Sequence, residues 1–158
     1  MRIVVMSDTH LNYPTDEFRM ICDRYCVQAD LVIHLGDWAR SAILDYLESY
    51  PLEAVAGNMD DYNIQQRLPA KKVIRVGKHR VGMAHGWGSG NEVRRRLAQE
   101  FDGVDAILYG HTHLPYVMRE NGLLWFNPGS VFMGRGEPPR SIGILRDGEE
   151  LVGEIIPL

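Results

Sequence analysis

The sequence predicts an α/β protein: a four-layer α-β-β-α sandwich in which two mixed β-sheets pack face to face with helices outside. Two patterns carry the prediction. In the first part of the chain, β-rich apolar runs alternate with amphipathic helical stretches, as in parallel strands joined by crossover helices. In the later part, short strands follow one another across glycine and asparagine turns, as in a mixed sheet. A third observation concerns function. The strand-like runs end in polar signatures: Asp8-Thr9-His10, Gly36-Asp37, Gly57-Asn58, His85-Gly86 and Gly110-His111-Thr112-His113.

The first element is a strand over Arg2–Met6, rich in β-branched residues. Thr15 is placed to cap a helix running to Val27, with Phe18, Met20, Ile21, Cys22, Tyr25 and Cys26 on its apolar stripe. A strand over Asp30–Leu35 follows, then a helix over Arg40–Tyr50 that Pro51 ends, then a strand over Leu52–Ala56. Lys72–Val76 and His79–Ala84 flank Gly77-Lys78 as a hairpin. Asn91–Phe101 reads as an amphipathic helix and Val104–Tyr109 as a buried strand. Strands at Tyr116–Arg119, Leu123–Phe126, Ser141–Arg146 and Leu151–Ile156 complete the chain, with turns at Asn121-Gly122 and Asp147-Gly148.

The 158 residues are read as one domain, 1–158, long enough for a substantial core. No apolar stretch is long enough to span a bilayer, and Arg2–Met6 is too short for the apolar region of a signal peptide, so a cytoplasmic location is expected. A net charge of -4 argues against general attraction to nucleic acid or anionic membranes. Two divalent cations would bring that charge near zero. Cys22 and Cys26, four apart in one helix, are poorly placed for a disulfide and are read as buried thiols.

The polar signatures supply Asp8, His10, Asp37, Asn58, His85, His111 and His113, all oxygen or imidazole-nitrogen donors. Gathered at strand ends, they form one expected site with enough donors for two divalent metal ions. Asp8 with His10, and His111 with His113, are two residues apart, so an extended chain would point each pair the same way. Glycines at 36, 57, 86 and 110 permit tight turns beside them. Mixed carboxylate and imidazole ligation suits manganese, iron, zinc, nickel or cobalt better than magnesium or calcium.

In its order of motifs the chain resembles the calcineurin-like metallophosphoesterase superfamily. Gly57-Asn58-Met59-Asp60 and Asn127-Pro128-Gly129-Ser130 are similar to those of its small bacterial and archaeal phosphodiesterase branch, which also includes the retromer subunit vacuolar protein sorting protein 29. The resemblance implies two divalent ions, manganese foremost. It places Asp8, His10 and His113 on the first, Asn58, His85 and His111 on the second, and Asp37 between both. It makes Asp37, Asn58 and His85 catalytic, and it implies that a hydroxide bridging the metals attacks a small phosphodiester in line. A homo-oligomer is implied as well. Nucleic acid enters only as a possible substrate, and no membrane partner is expected. The alternatives within the resemblance are a non-catalytic scaffold of the retromer type and a broad phosphomonoesterase.

One position departs from the family's pattern. Many superfamily phosphatases carry a histidine after the metal-binding asparagine, where it assists the leaving group; here Met59 stands, and Asp60 is left at most an orienting role. Activated aryl diesters should therefore turn over better than alkyl monoesters. Arg135 and Arg140, in and beside the Gly134–Pro139 loop, are the candidate substrate contacts. Asn127-Pro128-Gly129-Ser130 is read as a turn supporting the metal-bearing loops, His34 as a core residue, His79 as solvent-exposed and Arg94-Arg95-Arg96 as a solvated helix face. Trp38 and Trp87 are read as pocket wall or core.

Overall fold

The structure, a computed structural model, describes residues 1–132 and 135–158; Gly134, at the head of the loop expected near the site, lies outside them. In chain order the first half contains β1 (Arg2–Met6), α1 (Asp16–Tyr25), β2 (Leu31–His34), α2 (Ser41–Leu47), β3 (Leu52–Ala54) and α3 (Tyr62–Arg67). The second half contains β4 (Lys71–Val76), β5 (His79–Ala84), α4 (Glu92–Ala98), β6 (Ala106–Leu108), β7 (Tyr116–Glu120), β8 (Leu123–Asn127), β9 (Ser141–Arg146) and β10 (Val152–Pro157).

These strands form two mixed five-stranded sheets, ordered β10-β9-β1-β2-β3 and β4-β5-β6-β8-β7. In the first, β1, β2 and β3 are parallel, with Ile3 opposite Leu31 and Val32 opposite Leu52. In the second, β5, β6 and β8 are parallel. β1, β2 and β6 are almost wholly buried on both faces, which is why their sequences read as near-continuous apolar runs. Alternation along β1 makes the layering explicit. Ile3 and Val5 face Val81, Met83, Leu108 and Phe126 of the other sheet. Val4 and Met6 face Phe18, Cys22, Ile43 and Leu44 of the outer helices. On the far side, Val93 and Leu97 of α4 cover Ile107, Tyr109 and Trp125. The expected α-β-β-α order is the observed one.

The elements differ from expectation in instructive places. The Thr15 hydroxyl accepts a hydrogen bond from Phe18 N at 3.2 Å, as a cap should, but α1 stops at Tyr25. Cys22 and Cys26 are both free and buried. Helix α3 was not expected; Asp61 caps it by accepting from Ile64 N at 2.9 Å. His79 is buried rather than exposed, because the register of β5 turns it inward, where Nε2 donates to the Gly148 carbonyl at 3.0 Å.

Candidate metal centre

The parallel strands of both sheets end at the same edge of the sandwich, and the loops after them carry the ligand-type residues. Asp8, His10, Asp37, His111 and His113 all have left-handed backbones, with φ of 55°, 48°, 56°, 71° and 61°. The two-residue pairs are therefore not aligned by extended-chain alternation, as the spacing suggested; curled loops bring them together. Such conformations cost about 1–3 kcal/mol each and persist only where the surroundings impose them. Here Asp8 N donates to Gly36 O at 3.0 Å, His10 N to Asp37 O at 3.2 Å and Leu11 N to Trp38 O at 3.1 Å, zipping the two loops together. Asp60 accepts from the backbone N–H of Gly57, Asp37, Trp38 and Ala39 at 2.7–3.3 Å. Gly110 is required by close approach, since a Cβ there would sit on the Ser7 hydroxyl and 2.8 Å from Asp8 Oδ2.

This framework gathers five of the side chains singled out in the sequence. Asp8 Oδ1 lies 3.1 Å from His113 Nε2, 3.6 Å from His10 Nε2 and 3.9 Å from His85 Nε2. Asp37 Oδ2 lies 3.3 Å from His85 Nε2 and 3.7 Å from His10 Nε2. Asp8, His10 and His113 form one group whose ligand atoms all lie within 4.8 Å of one another, and Asp8, Asp37 and His85 form a second. Asp8 is common to both groups. Asn58 is exposed, and it shares with His85 a cavity of 240 Å³ that Lys71 and Trp87 also line. The His111 ring stands edge-on to His85, 5.3 Å between centroids.

Each imidazole that meets the groups through Nε2 is oriented by its other nitrogen where a partner is present. His85 Nδ1 donates to the Leu35 carbonyl at 2.8 Å, which leaves the Nε2 lone pair facing the carboxylates. His113 Nδ1 donates to Glu137 at 2.5 Å. His111 is held the other way round: Nε2 donates to the Gly88 carbonyl at 2.7 Å, so its lone pair is on Nδ1. Glu137 was missed in the sequence. It lies 24 positions beyond His113, in the loop where only the arginines drew attention.

Burial alone would raise the Asp8 carboxyl, but the facing His10 and His113 imidazoles, with His85 and the Ser7 hydroxyl, hold it well below the usual carboxylate range. Asp37 is likewise depressed: burial opposes ionisation and His85 outweighs it. The carboxylates act on the rings in return. His113, beside Asp8 and Glu137, is pushed up to about 9, and His85 is raised by Asp37 and Asp8 against its burial. Two anionic carboxylates among these rings attract positive charge to one locus.

Most of the remaining expected residues support the loops. His34 is fully buried, stacked on Trp38 with 3.6 Å between centroids, and burial pushes its pKa down to about 3, so it is neutral. Its Nδ1 accepts from Gly36 N at 3.2 Å, which ties it to the turn before Asp37. Asn127 donates to Gly110 O and to Thr112 Oγ1, both at 3.0 Å, and the Ser130 hydroxyl donates to Asp8 O at 3.1 Å. Trp38 is buried, whereas Trp87 is partly exposed. Arg135 is exposed, and Arg140 pairs with Glu17 at 2.8 Å and lines a cavity of 140 Å³ with Thr9 and Phe132. Arg94 departs from the solvated face: its guanidinium lies 4.0 Å over the Tyr116 ring.

The model of the calcineurin-like phosphoesterase superfamily domain matches residues 1–148. A probable metallophosphoesterase of Methanocaldococcus jannaschii is 35% identical over 163 residues, covering 100% of this chain and 82% of that protein. Phosphodiesterase YfcE of Escherichia coli is 29% identical over 167 residues, covering 92% of this chain and 87% of that protein. The crystal structure of wild-type Vps29 from Entamoeba histolytica, complexed with zinc, superposes with a TM-score of 0.75 over 99% of both chains. At 22% identity that is a likeness of fold.

Proposed function

Because this chain belongs to the calcineurin-like phosphoesterase superfamily, we propose that it is a phosphodiesterase that works with two divalent metal ions. One observation carries the reading. Asp8 Oδ1, His10 Nε2, Asp37 Oδ1 and His85 Nε2 are all buried and have no hydrogen-bond partner among the described residues. An unsatisfied buried polar group costs about 1–3 kcal/mol, and grouping several donors this way makes sense where they share a cation. Family membership implies divalent metal ions, and the donor set fits them.

In this reading Asp8, His10 and His113 hold one ion, His85, His111 and Asn58 hold the other, and Asp37 lies between them. Manganese is the first choice, with nickel, cobalt, iron and zinc compatible with the same donors. When bound, the ions would polarise a phosphoryl oxygen and lower the pKa of a water nucleophile toward neutrality. The chain's own work is orientation. Leu35 O and Glu137 fix the rings of His85 and His113, a support that raises ligand basicity. Asp60 and His34 fix the turn that presents Asp37. Met59 is 88% exposed and carries no proton to give, so leaving groups must depart largely unaided.

The test is hydrolysis by metal-stripped protein with manganese, nickel, cobalt, zinc or magnesium restored singly. Bis(p-nitrophenyl) phosphate should turn over with restored metal, and the monoester p-nitrophenyl phosphate more slowly. Metal uptake without turnover would instead favour the reading of the chain as a non-catalytic metal-binding scaffold.

A further inference from the structure

Beside the metal centre is a cavity of 590 Å³ that the ligand groups do not use. His111 belongs to both: its ring faces His85, it lines this cavity, and its Nε2 holds the Gly88 carbonyl that begins one wall. A group attached to a phosphate at the metals would therefore have this cavity within reach across His111. Its volume is within the range typical of small-molecule sites, about 300–1,000 Å³, and far exceeds what a short alkyl alcohol fills.

The chemistry of the wall is specific. The Arg94 guanidinium stacks over Tyr116 at 4.0 Å, donates to Asn91 Oδ1 at 3.0 Å and approaches the Tyr109 hydroxyl at 3.4 Å. Tyr109 is almost fully buried and braced edge-on by Trp125, and burial raises its phenol so that it stays neutral. A guanidinium tied at three points presents a planar cation in a fixed attitude. Phenol, amide and Ser89 hydroxyl groups stand around it, and Leu114 and Pro115 supply apolar surface. Flat, acceptor-bearing heteroaromatic rings suit such a wall, since they stack on aromatic and guanidinium planes.

We infer that this cavity receives one ester substituent of the substrate, and that the substituent is a nucleoside, with Arg94 and Tyr116 as the residues that select it. The inference rests on the phosphodiesterase reading and names the substrate class of that site. It also gives a role to Arg94, which packs on Tyr116 and reaches Tyr109 where Arg95 and Arg96 do not. Arg96 pairs with Glu92 at 3.3 Å, and the Arg95 side chain is 73% exposed.

The experiment compares two diesters with the same leaving group, thymidine 5′-(p-nitrophenyl) phosphate and methyl p-nitrophenyl phosphate, on the metal-loaded protein. The nucleoside ester should have a kcat/KM higher on the order of 10- to 100-fold, expressed mainly in KM. Arg94→Ala and Tyr116→Ala should each reduce that preference at least several-fold. Arg94→Lys, which keeps the charge and loses the plane, should resemble Arg94→Ala. Equal kcat/KM on the two esters in the unaltered protein would overturn the inference while leaving the phosphodiesterase reading intact. So would a preference that both variants retain. Turnover of neither ester with any restored metal would overturn the phosphodiesterase reading, and this inference with it.

Discussion

The loops on the two sides of the candidate metal centre are built differently. After β1 and β2, Ser7–Thr9 is fully buried, and the Asp8 and Asp37 turns are zipped to each other and clamped by Asp60, His34 and Ser130. After β5, residues 87–92 are exposed, and among the described residues they are tied to the site by the bond from His111 to Gly88. Two jobs explain the two constructions. Ligands must hold strained backbones at fixed distances, which only a buried hydrogen-bonded frame enforces. A wall that meets varied substrate surface has no such need. On the proposed reading, the first side would set the metal chemistry and the second the choice of substrate.

Breaking the first side should have the largest consequence. Asp8→Asn removes the charge common to both ligand groups, and turnover should fall on the order of 10³-fold with loss of bound metal, read by rate and by metal content. Retention of both would contradict the division drawn above. Asp60→Ala acts one step back, leaving its backbone N–H donors without their carboxylate. Stability should fall by about 2–4 kcal/mol, visible as a Tm lower by roughly 5–15 °C in the metal-free protein. An unchanged Tm would mean that the clamp is dispensable.

Glu137→Gln sharpens the comparison, because it touches a ligand only through its ring. Manganese affinity should drop about 10- to 100-fold while the rate at saturating metal is largely retained. The pH dependence follows from His113. Its folded pKa, about 9, is above the unfolded value of 6.5, so protonation stabilises the metal-free fold fully below pH 6.5, and that contribution fades as pH rises through 9. Metal needs the neutral ring, so manganese affinity should increase across the same window; a flat titration between pH 6.5 and 9 would remove His113 from the ligands. The smallest expected change is a gain. Met59→His should raise rates on poor leaving groups about tenfold and leave activated aryl diesters nearly unaffected, as judged from their kcat ratio.

The sandwich was legible because its signals are local. Thr15 announces α1, Gly77-Lys78 announces the β4–β5 hairpin, and apolar runs announce strands covered on both faces. The donor residues were legible because each follows such a run. How they meet was not. Positive φ at aspartate and histidine is imposed by hydrogen bonds to loops far along the chain, such as Asp8 N to Gly36 O, and no spacing rule encodes it. Glu137 was passed over, and Arg94 read as part of a solvated face, for the same reason, as one acts on His113 and the other packs on Tyr116 across the fold. His79 looked like a turn residue among charges, and only the register of β5 showed that it faces inward.

The most direct test of the central claim is anomalous diffraction from crystals equilibrated with manganese. The account predicts two peaks at the sandwich edge, one against Asp8, His10 and His113 and one against His85 and His111, with Asp37 between them. Peaks elsewhere, or none at this cluster at saturating manganese, would contradict it.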